Sequence, residues 1–348
     1  MNEVTEITLI KPDDWHLHLR DGPHTSTIVN HTARQFQRAI VMPNLAPPIT
    51  TVASAEAYHD RIKYLLSSNL DFQPLMTLYL TDNTSLNDIK EAALSPLVRA
   101  VKLYPAGATT NSDAGVTSLS KIEHVLGAME EHQVPLLVHG EVTGSDTDVF
   151  DREALFLDDV LTPIVNKFPS LRVSLEHITT QEGVDFVKSA NENVAGTITP
   201  HHLLLNRNAL FQGGINPHHY CLPILKREKH RRALVDAACS GDGKFFLGTD
   251  SAPHMRSKKE NACGCAGIYS AHAALELYAE VFEAENALEN FEKFASINGT
   301  KFYNLPINRG SITLEKKEWT VPDAYDFGGE RVIPFRAGGT MSWKVKRT

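Results

Sequence analysis

The sequence predicts an α/β fold, a (β/α)8 barrel of the TIM type with a C-terminal extension. Eight short apolar runs alternate with helical patterns, and most of these runs are apolar on both faces. Such strands are typical of a parallel sheet that helices cover on one side and a packed barrel interior fills on the other. A doubly wound open sheet is the alternative, but no glycine-rich dinucleotide fingerprint follows the first strand.

The first strand candidate lies in Asp13–Arg20, where alternate side chains of an extended chain share a face. Helical patterns follow over Pro23–Gln37 and Val52–Ser67, the latter with Ala, Tyr and Leu at three- and four-residue spacing. The other strand candidates are Ala39–Met42, Leu75–Leu80, Val98–Leu103, Val134–His139, Val173–His177, Val194–Thr199 and Phe245–Thr249.

Helical patterns also cover Ala271–Ala284 and Leu288–Ala295, and the chain from Pro306 onward is turn-rich and strand-like. A length of 348 residues fits either two domains or one barrel with extensions. We expect a single barrel domain over residues 1–348, with 306–348 as an extension packed on it.

Composition excludes some classes of partner. Net charge is 34 − 42 = −8, and no basic run with interleaved aromatic residues is present, which argues against nucleic acid. Residues 1–9 lack a basic and a long apolar segment, and no later stretch approaches the length of a membrane span. We therefore expect a cytoplasmic protein without a membrane partner.

The chain has four cysteines, too few for a disulfide framework at this length, which suggests a reducing compartment. Cys263 and Cys265 are separated by one residue, whereas metal and redox pairs usually have two between them. Two packed thiols in a loop are the favoured interpretation.

Ionisable side chains close several of the apolar runs. In a (β/α)8 barrel the carboxyl ends of the strands form one face, where active sites are built. Singly, each of these residues could be a buried core histidine or a helix cap, but together they predict a metal site. The residues are His16, His18, Lys102, His139, His177 and Asp250.

Four histidines and an aspartate exceed the three protein ligands of a typical catalytic zinc site, so two ions are the natural count. Lys102 does not fit as an ammonium beside two dications. Its side chain must be either a neutral amine or covalently converted to an anion, and the spacing of the residues does not distinguish these two states. Arg20 shares the face of His16 and His18 if the strand continues, and its planar fork matches a carboxylate.

The longest motifs are Asp14–Arg20, Val41–Asn44, Lys102–Thr110, Val138–Glu141, Leu175–His177 and Gly248–His254. They resemble the motifs of dihydroorotases of the short bacterial type, in the amidohydrolase superfamily, and the match runs nearly end to end. The resemblance implies two zinc ions bridged by an N6-carboxylated Lys102. It implies ligation of one ion by His16, His18, Lys102 and Asp250, and of the other by Lys102, His139 and His177.

The resemblance also implies a reaction and a set of substrate contacts. The reaction is the reversible hydrolysis and cyclisation between L-dihydroorotate and N-carbamoyl-L-aspartate in de novo pyrimidine (UMP) biosynthesis. A hydroxide bridging the two zinc ions would attack, and Asp250 would serve as general base and acid. The implied substrate-binding residues are His18, Arg20, Asn44, Thr109, Thr110, Leu222, His254, Ala266 and Gly267.

Three rival functions follow from the same residues. A hydantoinase or dihydropyrimidinase shares the metal group, but its substrates need no carboxylate clamp, so Arg20 argues against it. A mononuclear deaminase lacks the bridging lysine, so Lys102 argues against that class. A catalytically silent scaffold is disfavoured by the intact ligand set.

Metal identity and assembly are less specific. Cobalt or manganese would also suit the ligands, and a homodimer is expected from the frequency of such assemblies.

The segment Pro105–Ser112 follows the fourth strand and consists mostly of small, polar and turn-forming residues. It could be an ordinary mobile loop. Its place next to Lys102, and the adjacent hydroxyls of Thr109 and Thr110, favour a lid over the site, in agreement with the resemblance.

Overall fold

The computed structural model describes residues 4–346. The strands in chain order are β1 (Glu6–Ile10), β2 (Asp13–Leu17), β3 (Arg38–Val41), β4 (Gln73–Leu80), β5 (Val98–Leu103), β6 (Leu136–His139), β7 (Val173–Glu176), β8 (Val194–Ile198), β9 (Phe245–Leu247), β10 (Ser311–Thr320), β11 (Tyr325–Phe327), β12 (Glu330–Val332) and β13 (Thr340–Val345).

The α-helices are α1 (Ser26–Gln35), α2 (Val52–Leu65), α3 (Leu86–Leu94), α4 (Leu119–Glu131), α5 (Arg152–Phe156), α6 (Thr162–Lys167), α7 (Gln181–Ser189), α8 (Pro200–Leu204), α9 (Glu228–Cys239), α10 (Arg256–Lys259), α11 (Ala274–Ala284), α12 (Leu288–Glu292) and α13 (Asn298–Phe302). Three 3-10 turns (Pro23–Thr25, Arg207–Leu210 and Pro217–His219) and two π-helical segments (Leu157–Leu161 and Lys293–Ile297) complete the helical structure.

Strands β2 to β9 form one parallel sheet in chain order, and the sheet closes on itself. The Asp250 amide donates to the His16 carbonyl at 2.8 Å, and the His18 amide donates to the Ser251 carbonyl at 3.1 Å. These bonds join β2 to the segment after β9. The prediction of a (β/α)8 barrel is therefore confirmed.

Both faces of the barrel strands are buried, as their sequences predict. Side chains that point inward form a separate cluster that fills the barrel, with Trp15 stacked on Tyr303 at a centroid distance of 4.6 Å. Neighbours such as Ala39 and Val41 point outward and pack under the helices. Helix starts are specified locally, since Thr51 and Ser85 form capping boxes at α2 and α3.

The C-terminal segment adds a small antiparallel sheet that contains the first strand of the chain. Strand β10 pairs with β1 on one side, with Ile7 opposite Leu314, and with β13 on the other. Leu314 and Trp343 are buried in the outer core. The assignment of residues 1–348 to one domain stays a prediction, and its ends, residues 1–3 and 347–348, lie outside the described residues.

Several predicted boundaries are wrong at the carboxyl ends of strands. Strand β2 ends at Leu17 rather than Arg20, so Arg20 does not share a strand face with the two histidines. Arg20, His177 and Asp250 all have positive φ, which breaks the extended backbone. The first helix pattern begins with a 3-10 turn, and α11 begins at Ala274.

The four cysteines are free, but Cys263 is exposed and Cys265 half-buried, so the prediction of two packed thiols is wrong for Cys263. The two lie in a turn in which the Asn261 side chain accepts from the amides of Cys263 and Gly264. Within residues 4–346, none of the helices has the length and apolarity needed to cross a membrane.

Candidate active site

The carboxyl end of the barrel brings together the six residues predicted to hold metal. They come from β2, β5, β6 and the segments that directly follow β2, β7 and β9, and all are buried. Consecutive parallel strands deliver their ends to one face, so residues far apart in sequence meet there. The six are His16, His18, Lys102, His139, His177 and Asp250.

His16, His18 and Asp250 form one compact group. Their candidate ligand atoms lie within 4.8 Å of one another. The His18 Nε2 lies 3.1 Å from Asp250 Oδ1, and the His16 Nε2 lies 3.5 Å from the same oxygen. Imidazole nitrogens and a carboxylate oxygen at this spacing suit a divalent ion such as zinc.

His139 and His177 lie beside this group. The His177 ring centroid is 4.9 Å from that of His16 and 4.8 Å from that of His139, so the three rings are contiguous. The Lys102 side chain is fully buried, with its Nζ 5.1 Å from the centre of the Tyr104 ring. The geometry therefore provides a second set of donors next to the first.

Three polar atoms of this cluster have no hydrogen-bond partner among residues 4–346. They are His16 Nε2, Lys102 Nζ and His177 Nδ1, and each is buried. A buried polar atom without a partner costs free energy, so several in one place indicate a bound group. The chemistry of these donors fits metal ions.

Two carboxylates orient the histidines from behind, and the sequence interpretation did not assign them. Glu176 Oε2 lies 2.6 Å from His16 Nδ1 and also accepts from Thr197 at 3.0 Å. Glu141 Oε2 lies 2.8 Å from His139 Nε2. Each bond occupies one ring nitrogen and leaves the other for a metal. The available signal was their place within two residues of a predicted ligand histidine.

Most of the predicted substrate contacts line the same cavity as the ligand cluster. Arg20 donates through Nε to the Pro253 carbonyl at 3.1 Å, and its Nη2 lies 2.9 Å from His254 Nε2. No carboxylate pairs with Arg20 in the described part of the chain, so its charge is free to meet an anion. Other lining residues are His18, Asn44, Thr109, Thr110, Leu222, Ala266 and Gly267, with Tyr104 and Ala252 not foreseen.

The segment Pro105–Ser112 covers this cavity. Asn44 Nδ2 donates to the Thr110 carbonyl at 2.9 Å, and Asn111 Nδ2 donates to the Asn44 carbonyl at 3.0 Å. The cavity has a volume of about 20 Å³, near the room for one water. The two hydrogen bonds join the loop to Asn44, in the segment after β3.

Comparison with known proteins agrees with this geometry. The sequence pattern of the amidohydrolase family matches residues 7–324. A dihydroorotase from Nitrosococcus oceani is 60% identical over 342 residues, which is 98% of this chain and 99% of that protein. The chain belongs to the amidohydrolase family, and within it to the dihydroorotases. The predicted family is thus confirmed.

Solved structures of the amidohydrolase family have the same fold. A dihydroorotase from Saccharomyces cerevisiae, in complex with 5-fluoroorotic acid, superposes with a TM-score of 0.91 at 36% identity and covers 99% of both chains. An L-hydantoinase from Arthrobacter aurescens reaches 0.80 at 14% identity, covering 99% of this chain and 85% of that one, which reflects the fold alone.

Members of the amidohydrolase family are metal-dependent hydrolases, and burial prepares the ligands of this dihydroorotase for that chemistry. It lowers the pKa of Lys102 to about 8 and, with the charges of His139 and Lys102, holds that of His177 well below its ordinary value. Burial raises the pKa of Asp250 against the opposing charge of His16. For Glu176 burial is outweighed by the hydrogen bond and charge of His16, so its pKa is lowered. His177 is therefore neutral near pH 7 and able to bind metal.

Three residues of this dihydroorotase site adopt left-handed backbone conformations. The φ angles are 61° at Arg20, 42° at His177 and 44° at Asp250. Such conformations are strained for residues other than glycine and cluster at functional sites. Each turns the chain sharply just after a barrel strand.

Proposed function

We propose that the chain catalyses the reversible interconversion of L-dihydroorotate and N-carbamoyl-L-aspartate in pyrimidine biosynthesis. One observation carries this proposal: a single cavity is lined both by buried metal-type donors and by Arg20, which has no carboxylate partner among residues 4–346. A cyclic amide that bears a carboxylate needs both groups. The 60% identity to a dihydroorotase supports the same reaction.

Two zinc ions fit the donor set. His16, His18, Asp250 and Lys102 would hold one ion, and Lys102, His139 and His177 the other. When bound, the ions supply a water of lowered pKa and polarise the carbonyl that it attacks. Cobalt or manganese would suit the same oxygen and nitrogen donors.

Lys102 would serve as a bridging anion after reaction with carbon dioxide. A bond forms between its neutral Nζ and the carbon of CO2, and Nζ releases a proton, which leaves a carbamate. The buried Nζ, which has no hydrogen-bond partner among residues 4–346, supports this assignment. The reaction replaces a cation that two dications would repel by an anion that they attract.

Asp250 would move the proton. In hydrolysis its carboxylate accepts a proton from the attacking water and delivers it to the leaving ring nitrogen, and cyclisation reverses both transfers. Its Oδ1 lies 3.1 Å from His18 Nε2 and 3.5 Å from His16 Nε2. The carboxylate thus belongs to the candidate ligand cluster over which the substrate carbonyl would lie.

Arg20, Asn44 and His254 would bind the substrate carboxylate and orient the ring. The guanidinium of Arg20 can offer two parallel donors, while Asn44 is tied to the loop through the Thr110 carbonyl. Fixing the far side of the ring places its carbonyl over the ligand cluster. Thr109 and Thr110 would close the loop over the substrate and exclude water.

Cellular location and assembly are part of the same proposal. We infer a cytoplasmic enzyme, because its four cysteines are free, as is usual in a reducing compartment. We infer a homodimer from the frequency of such assemblies among barrels of this kind. Gel filtration with light scattering on the purified protein measures the oligomeric state.

The test of function compares two substrates on purified protein of measured metal content. We expect close to two metal ions per chain and hydrolysis of L-dihydroorotate with a kcat/KM at least about 100-fold above that for dihydrouracil. Arg20 discriminates between them because only the first substrate carries a carboxylate. Equal or better activity on dihydrouracil would support the hydantoinase or dihydropyrimidinase alternative instead.

A further inference from the structure

Two backbone segments contribute to the lining of the cavity. Leu222 lies in the first segment, shortly after Tyr220, and Ala266 and Gly267 lie in the second. The Gly267 amide donates to the Tyr220 carbonyl at 3.0 Å, which joins the two segments directly. The position of this lining therefore depends on how the junction is held.

Lys259, the last residue of α10, holds the same junction from behind. Its side chain is 3% exposed, and its Nζ donates to the Tyr220 carbonyl at 2.8 Å and to the Gly267 carbonyl at 2.5 Å. One ammonium group thus bonds to one carbonyl on each segment. Bonds that end on backbone oxygens fix the main chain itself.

The charge of Lys259 has no carboxylate partner within the described residues. The neighbouring Glu260 pairs with Arg256 and His218 instead. Burial lowers the pKa of Lys259 to about 8, a change that the thiols of Cys221 and Cys265 oppose and the charge of Arg20 reinforces. The Tyr220 ring lies 5.9 Å from Nζ, and His201 and His254 are the other titratable neighbours.

Burying an ammonium group without a counter-ion costs free energy. The hydrogen bonds from Lys259 Nζ to the two carbonyl oxygens offset part of this cost and are the interactions that account for its position. Lys259 does not line the cavity, so it acts on the substrate only through the segments that it holds.

We propose that Lys259 is a positioning residue that keeps the Tyr220 and Gly267 carbonyls together. In this role it presents the backbone of Leu222 and Ala266 to the substrate. The inference rests on the proposed function, because the substrate is the one assigned above.

The first test replaces Lys259 by methionine, which has similar length and no donor. Two hydrogen bonds from a charged group are lost, so we expect KM for L-dihydroorotate to rise about tenfold or more. We expect kcat to change by less than about threefold and metal content to stay the same, because the ligand cluster is intact. Lys258→Met is the matched control, since Lys258 is exposed on the same helix.

The second test follows KM from pH 7 to pH 9.5. In the unsubstituted protein, KM is expected to rise as Lys259 loses its proton and its bonds weaken. Lys259→Met is expected to have a high KM without this rise, and Lys259→Arg keeps its charge and should also lack it. If Lys259 only supported the fold, KM of the two variants would change with pH in the same way as KM of the unsubstituted protein.

The outcomes separate the two proposals. If the unsubstituted protein does not hydrolyse L-dihydroorotate, the proposed function itself fails. If that protein is active and Lys259→Met matches it in KM and in pH profile, only the positioning role is overturned. Should Lys259→Met not fold, Lys259→Arg decides, and an alkaline rise equal to that of the unsubstituted protein overturns the role.

Discussion

At the scale of single residues, substrate binding and proton transfer are proposed for different side chains, Arg20 and Asp250. Arg20→Lys retains the charge but loses the planar fork, so we expect KM to rise about 10- to 100-fold, with a smaller loss in kcat. Asp250→Asn retains the shape but cannot take a proton, so we expect kcat to fall about 100- to 10,000-fold. Steady-state kinetics with metal analysis measures both. Unchanged constants for Arg20→Lys would remove it from the carboxylate site.

Lys102 is the residue whose chemistry differs most from its ordinary form. Lys102→Ala should lower bound metal and reduce activity more than about 100-fold, because the shared ligand is lost while the barrel still folds. A short carboxylic acid such as acetate should restore part of the activity by supplying the bridging anion. Metal content is the deciding measurement, and a normal value in Lys102→Ala would contradict the carbamate.

At the scale of elements, we expect the loop after β5 to control access to the site. Thr109 and Thr110 line the cavity, so their hydroxyls are within the site where they would bond to a substrate. Replacing both by alanine should lower kcat about tenfold or more and leave metal content unchanged. Thr143→Ala, an exposed threonine in the loop after β6, is the control. Normal kinetics in the double variant would make the segment an ordinary loop.

The elements also show what a sequence can and cannot predict. The strands were predictable because residues such as Val101 and Leu137 are buried on one face or the other of a covered sheet. Their ends were not, because the chain turns into left-handed conformations at His177 and Asp250, whose amides bond to residues distant in sequence, Thr197 and His16. The pairing of β1 with β10 also escaped prediction, since edge strands distant in sequence carry no local mark of their partner.

The candidate site also contains residues that the sequence could predict and residues that it could not. Side chains that contact a metal or an anion have distinctive chemistry, so His16 and Arg20 stand out in an apolar run. Glu176 and Glu141 resemble many other acidic residues until their 2.6 and 2.8 Å bonds to histidines are seen. Lys259 gives no signal at all in sequence, because its partners are backbone carbonyls.

At the scale of the whole molecule, one buried carboxyl makes stability depend on pH. Glu276 on α11 is 4% exposed, accepts from the Val345 amide of β13 at 3.1 Å and has an oxygen without a partner in residues 4–346. Burial raises the pKa of Glu276 from 4.5 to about 7. Between these values the unfolded chain releases the proton and the folded chain keeps it, so stability falls as pH rises.

Glu276→Gln should remove the part of this dependence that Glu276 contributes. We expect the variant to exceed the unsubstituted protein in free energy of unfolding by about 3 kcal/mol at pH 8, and by less than about 1 kcal/mol at pH 5. Urea denaturation at both pH values measures the difference. Glu289→Gln, an exposed site on α12, is the control and should show no such change. If Glu276→Gln differed from the unsubstituted protein by the same free energy of unfolding at pH 5 and at pH 8, the assignment would be contradicted.

The hydrogen bonds that join β2 to the segment after β9 bear on how this protein is made. A ribosome adds about 5–20 residues per second, so His16 and Asp250 are synthesised roughly 10–50 seconds apart. During that interval His16 and His18 belong to an incomplete barrel without the carboxylate that completes their group. If these residues hold metal as proposed, the ion would reach its final geometry only after β9 has been synthesised, and nascent chains that end before Asp250 should bind it weakly.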